Sequence, residues 1–235
     1  MKFFFPDSSD LIDPSFDFQH ETRSEHRVRH RDDLYAHEVF GEVPYDGILV
    51  SKALIDNGRY TVAQKQRLFR SGIRPFFRLD DRNYGKRIEA MGDCGAFSYV
   101  REVTPPYTVD EIIAFYDNAG FDSGLSVDHV ILAYDAQLDD SFPSLEFVPS
   151  EYRTRQEITL ELASEFYQVH RTNRCRFEPI GVAQGWSPQS YADAVTELQR
   201  MGYRRIAVGG VVPMKNDEVL ACLGAIDEIR TSDTQ

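Results

Sequence analysis

Four short stretches of this 235-residue chain have the residue types to do chemistry. Met91-Gly92-Asp93-Cys94-Gly95-Ala96-Phe97 sets a carboxylate among small residues, where a ligand can come close to the backbone. Asp128-His129 follows Leu125-Ser126-Val127, Gln184-Gly185-Trp186 holds the only tryptophan, and Gly209-Gly210-Val211 pairs two glycines. Taken singly, each has an ordinary explanation. Asp93 or Asp128 serves as a turn or helix cap, Gln184 satisfies buried backbone groups, Trp186 is core, and the glycine pair is a turn. Taken together, two carboxylates, an amide and open backbone make a pocket for a planar, hydrogen-bonding ligand such as a purine.

The elements that must position these groups alternate between short apolar runs and amphipathic helices. The runs are 47–50, 74–78, 89–92, 123–127, 177–183 and 205–208. The helices between them include Tyr60–Ser71 stopped by Gly72, and one capped by Thr108 with Glu111 in the capping-box position. Others are Arg153–His170, a helix opened by Ser187-Pro188 and ended at Gly202, and a last helix capped by Asn216. This alternation means a parallel α/β sheet, either open and doubly wound or of the (β/α)8 TIM-barrel type with about six of the eight units present. In both, ligand groups sit at the carboxyl ends of strands, where all four stretches fall. Residues 1–45 read as an irregular N-terminal arm and 46–235 as the partial barrel domain. The acidic stretch from Tyr134 to Tyr152 is the longest loop.

Composition narrows the function classes. Hydrophobic residues make up 42% and charged residues 27%, the balance of a folded globular protein. No apolar run reaches the roughly 20 residues of a membrane helix, and the N-terminus lacks a signal-peptide pattern, so the cytoplasm is the expected address. Three scattered cysteines form no disulfide framework and no Cys-x-x-Cys zinc motif, so neither metal nor other cofactor is expected. A net charge of −12 opposes non-specific polyanion binding. Arginine nevertheless far outnumbers lysine, and clusters at Arg23, Arg27, Arg29 and Arg31 and at Arg171, Arg174 and Arg176 offer forks for phosphate. The arm also carries His20, His26, His30 and His37, at spacings that suit no recognised metal site.

The four stretches, in this order and at these strand ends, resemble the tRNA-guanine transglycosylases. Asp93-Cys94-Gly95-Ala96-Phe97 is similar to their Asp-Ser-Gly-Gly-Phe motif. Gly120-Phe121-Asp122, with Asp128 six positions on, is similar to their Gly-Ser-Asp segment. Gly181-Val182-Ala183-Gln184-Gly185 resembles Gly-Ile-Val-Gln-Gly, and Gly209-Gly210-Val211 resembles Gly-Gly-Leu. Segments such as Tyr45-Asp46-Gly47-Ile48-Leu49-Val50-Ser51-Lys52 look like the DNA-acting branch, which inserts 7-deazaguanine derivatives into DNA. The resemblance implies Asp93 as general acid/base. It implies a base-binding set of Asp128, Gln184, Gly209, Gly210 and Cys94, with Cys94 standing where the family has serine. The implied partners are DNA rather than tRNA, and a 7-deazaguanine base.

The family's nucleophilic aspartate has no counterpart in these motifs, and the chain looks C-terminally incomplete beside the family pattern. Three readings follow. One is a base-exchanging transglycosylase. A second is a catalytically incomplete base- or nucleic-acid-binding half, with a partner chain supplying the missing barrel strands. A third is an unrelated metal-dependent hydrolase using Asp93, Asp128 and His129.

Overall fold

The computed structural model describes residues 2–7, 11–40, 43–80, 85–141 and 147–235. Six parallel strands run in chain order across one sheet: β1 (Phe4–Pro6), β2 (Gly47–Ser51), β3 (Glu89–Asp93), β4 (Ser123–Leu125), β5 (Glu178–Ala183) and β6 (Arg205–Val208). Each strand pairs only with its neighbours in sequence. A doubly wound sheet reverses its strand order part-way; this one does not, and it curls into a half-barrel of the TIM type. The parallel register lines up Ser51 with Asp93 and Ala183 with Val208, so the carboxyl ends of all strands share one rim.

The helices are α1 (Ala36–Val39), α2 (Lys52–Leu54), α3 (Val62–Ser71), α4 (Ile73–Phe76), α5 (Val109–Ala119), α6 (Ser150–Asn173), α7 (Pro188–Met201) and α8 (Asn216–Ile229). The start signals of α3, α5 and α7 act as their chemistry dictates, whereas Asn216 is the first residue of α8 and Lys215 holds the cap position, its amide donating to Glu218. Thr61, Thr108 and Ser187 each accept from the backbone amide three residues on, forming capping boxes. Gly120 and Gly202 close α5 and α7 in the left-handed conformation.

Two elements differ from the sequence expectation. Residues 74–78 are not a strand, because Pro75 sits in the first turn of α4, where its missing N–H costs nothing. The edge strand is instead β1, within the expected irregular arm. Its Phe4 lies opposite Gly47, and the Asp7 amide continues the ladder to the Leu49 carbonyl at 2.8 Å. Elsewhere in the arm, His37 is buried against Tyr45 Oη and the Phe77 carbonyl, at 3.0 and 2.8 Å. Arg27 is committed to Asp13 and Asp33 and the exposed Arg31 to Asp32, while Arg23 and Arg29 are exposed on that segment. Asp10 and residues 142–146 of the long acidic loop lie outside the described residues.

The core is continuous from β2 to α8, and one side chain sets the spacing of the two central strands. Tyr116 of α5 is fully buried on Gly92 of β3 and Gly124 of β4. A Cβ at either glycine would come within 2.2 or 2.3 Å of its ring. Its hydroxyl donates to the Leu125 carbonyl at 3.2 Å. The strand pair that delivers Asp93 and Asp128 therefore rests on one aromatic plate.

Candidate active site

Asp93, Asp128, Gln184, Gly209 and Gly210 line one cavity of about 360 Å³ at the strand rim. Leu49, Leu125, Val130 and Val182 give it apolar walls, and Phe97 stands half-exposed in its lining.

Asp128 holds the centre. Gln184 Nε2 donates to its Oδ2 at 2.7 Å, and Cys94 Sγ donates to its Oδ1 at 3.0 Å. Gln184 is oriented from behind, because its Oε1 accepts from the Ile131 amide at 3.1 Å, and that leaves one N–H of its amide nitrogen available. The glycine pair is needed for this arrangement. A Cβ on Gly209 would stand 2.2 Å from Gln184 Nε2. Gly210 has φ +76° and passes so close to the Ile131 carbonyl that a Cβ would meet it at 2.3 Å. Tyr191 of α7 anchors the turn by donating to the Gly209 carbonyl at 2.8 Å.

Asp93 sits opposite, partly buried at the end of β3. Burial, then the neighbouring Asp128 charge, push its carboxyl up to about 7, against the pull of the Gly95 and Cys94 amides. Burial also raises Asp128, while the Cys94 and Gln184 donors favour its charged form. No cation pairs with either carboxylate among the described residues. A proton can thus be held on Asp93 and released near neutral pH, which is the requirement for general acid/base work.

Cys94 is fully buried and stands behind Asp128, outside the cavity lining. His129 is turned away: its Nε2 lies 3.0 Å from the Glu102 carbonyl, and its amide donates to Thr159 Oγ1 at 2.9 Å. The described residues contain no group of three or more His, Cys, Asp or Glu side chains placed to hold a metal ion. Trp186 packs with Ile131 and Val148 in a small apolar cluster.

Three residues enter the site without having been singled out by sequence reasoning. Asp7 lines the same cavity from the end of β1, where the Tyr60 hydroxyl donates to it. The signal was present, since Phe4-Phe5-Pro6-Asp7 is an apolar run ending on a carboxylate, like Asp93. Ser51 lines the cavity from the end of β2, with its hydroxyl close enough to Asp93 to favour the charged carboxylate. Tyr99 reaches Cys94 and Asp128 from behind, on the 3-10 turn Ala96–Tyr99.

Among the described residues, no helix is long and apolar enough to cross a membrane. No protein-family model matches the chain. A protein of Salmonella montevideo described as a DNA-guanine transglycosylase is 49% identical to it over 240 residues. That match takes in 100% of this chain and 55% of the relative, so the chain spans about half the length of the curated relative it matches.

Proposed function

Because the chain is a transglycosylase-like homologue, over its whole length, of that DNA-guanine transglycosylase, we propose that it provides the base pocket and the acid/base group for guanine exchange in DNA. The incoming base on this reading is a 7-deazaguanine derivative. The observation that carries the proposal is the pairing of Asp128 with Gln184 on one wall of a cavity that Asp93 also lines.

The chemistry follows from the donors and acceptors. The anionic Asp128 accepts from the adjacent N–H groups of a guanine-like face, and the remaining N–H of Gln184 donates to the exocyclic oxygen. Phe97 offers a ring on which a base can stack at the mouth. A target guanine reaches such a pocket only after leaving the helical stack. A carboxylate then attacks the anomeric carbon, the C–N bond breaks, and the departing base takes a proton from Asp93. The modified base enters the same pocket, gives that proton back, and displaces the carboxylate. The exposed Arg23 and Arg29 suit backbone phosphates.

We place the attacking carboxylate outside these 235 residues, in closing strands supplied by further sequence or by a partner chain. β6 is the last strand of the sheet among the described residues, the position where closing strands would add. The Gln235 amide donates to the Arg204 carbonyl at 2.8 Å, and Gln235 in turn accepts from the Ile206 amide at 2.9 Å, which is the spacing of a parallel ladder. Asp7 is the alternative source, as the third carboxylate in the cavity lining.

Calorimetric titration with 7-cyano-7-deazaguanine tests the pocket. The wild-type chain should bind, Asp128→Asn should lose at least tenfold in affinity, and Asp93→Asn should bind nearly as well as wild type while abolishing exchange in any assembly that turns over. A cooperatively melting chain that ignores the base would refute the reading. Exchange by the chain alone, lost in Asp7→Asn, would move the nucleophile to Asp7.

A further inference from the structure

Tyr99 is buried and lies outside the cavity lining, yet its hydroxyl touches two atoms that bear on the site. Its single proton has two acceptors in reach, Cys94 Sγ at 3.0 Å and the Asp128 carbonyl oxygen at 3.1 Å. Cys94 Sγ in turn lies 3.0 Å from Asp128 Oδ1. A thiol has one hydrogen. With the phenol proton directed at the sulfur, the thiol hydrogen is left for the carboxylate. On the other side, Gln184 Nε2 donates to Oδ2 at 2.7 Å. Each Asp128 oxygen is thus held by one side-chain donor, and the Asp128 amide also favours the charged carboxylate.

We propose that Tyr99 and Cys94 form a positioning relay, phenol to thiol to carboxylate, that fixes the plane of Asp128 and so sets the affinity for a planar base presenting two adjacent N–H groups. The ligand half of this statement rests on the function proposed above; the relay itself does not. Burial, with the charges of Asp128 and Asp93 next, holds Cys94 well above the ordinary thiol range, so it remains a donor. Sulfur suits the position geometrically, because a longer bond to a larger atom lets one side chain meet both Tyr99 and Asp128.

The test uses Tyr99→Phe, Cys94→Ala and Cys94→Ser, each with a melting curve, and two readouts. The first is the infrared S–H stretching band, assigned to Cys94 by its loss in Cys94→Ser, and read without ligand. The relay requires this band to shift in folded Tyr99→Phe, because the sulfur no longer accepts from the phenol; an unmoved band would overturn it. The second readout is titration with 7-cyano-7-deazaguanine. Affinity should fall about five- to tenfold in Tyr99→Phe and in Cys94→Ala, roughly one hydrogen bond's worth, and recover most of the loss in Cys94→Ser. Equal affinity in all four proteins would remove the positioning role. A wild type that does not bind, with the band shifted, would refute the proposed function while leaving the relay standing.

Discussion

Strand β4 is flanked by two aspartates six positions apart, and the two ends of the sheet treat them in opposite ways. Asp122, at the amino end, accepts from the Ala90 amide at 2.8 Å and pairs with Arg74 and Arg87. Around it the foot of the sheet is laced with ion pairs: Lys2 with Glu89, Lys86 with Asp46, and Arg205 with Glu178. Asp128, at the carboxyl end, faces Asp93 and is met by a thiol and an amide. Charge at the foot is neutralised, whereas charge at the rim is concentrated and held by neutral donors. The foot fastens strands to one another, and the rim keeps two carboxylates in an unfavourable state that a ligand can relieve.

That contrast is broken most strongly by Asp122→Ala. It leaves the Ala90 amide and the Arg74 guanidinium without their partner, and we expect a loss of about 3 kcal/mol in urea unfolding with base affinity unchanged in the folded fraction. Next comes the pH dependence of Asp93. Its carboxyl titrates at about 7 in the fold against 3.8 when unperturbed, so between those values the native state holds a proton that the unfolded chain has released. Stability should therefore fall as pH rises from 4 to 7, by about 3 kcal/mol, and that part of the slope should vanish in Asp93→Asn. An unchanged slope in the variant would show that Asp93 is not the protonated member. The smallest expected effect is Gly209→Ala. Its methyl pushes Gln184 off Asp128, and base affinity should drop about tenfold, or ~1.4 kcal/mol by calorimetry, with the foot untouched.

Local chemistry explains what the sequence makes legible. The residues that line the cavity at the ends of β3 to β6 could be named because a carboxylate, an amide or a glycine pair directly after an apolar run marks a strand's exit. Capping boxes at Thr108 and Ser187 fix α5 and α7 for the same reason: the signal lies within four residues. The edge strand β1 has three residues including Pro6, too few to show a period, while 74–78 mimics a strand by its apolar run although Pro75 opens a helix. Asp7, Ser51 and Tyr99 join the site only through the curl of the sheet and through contacts between separate units. No spacing along the chain encodes the reach of Tyr99 to Asp128 across 29 positions.

The thiol behind Asp128 has a consequence for its own reactivity. Attack on peroxides, disulfides and alkylating reagents requires the thiolate, and Cys94 is buried and held protonated. A cysteine beside the centre of a pocket would usually expose that pocket to oxidative inactivation. Here burial and the retained proton shield the thiol from such attack, and the partly exposed Cys175, outside the cavity lining, is the cysteine an oxidant or a label would meet first.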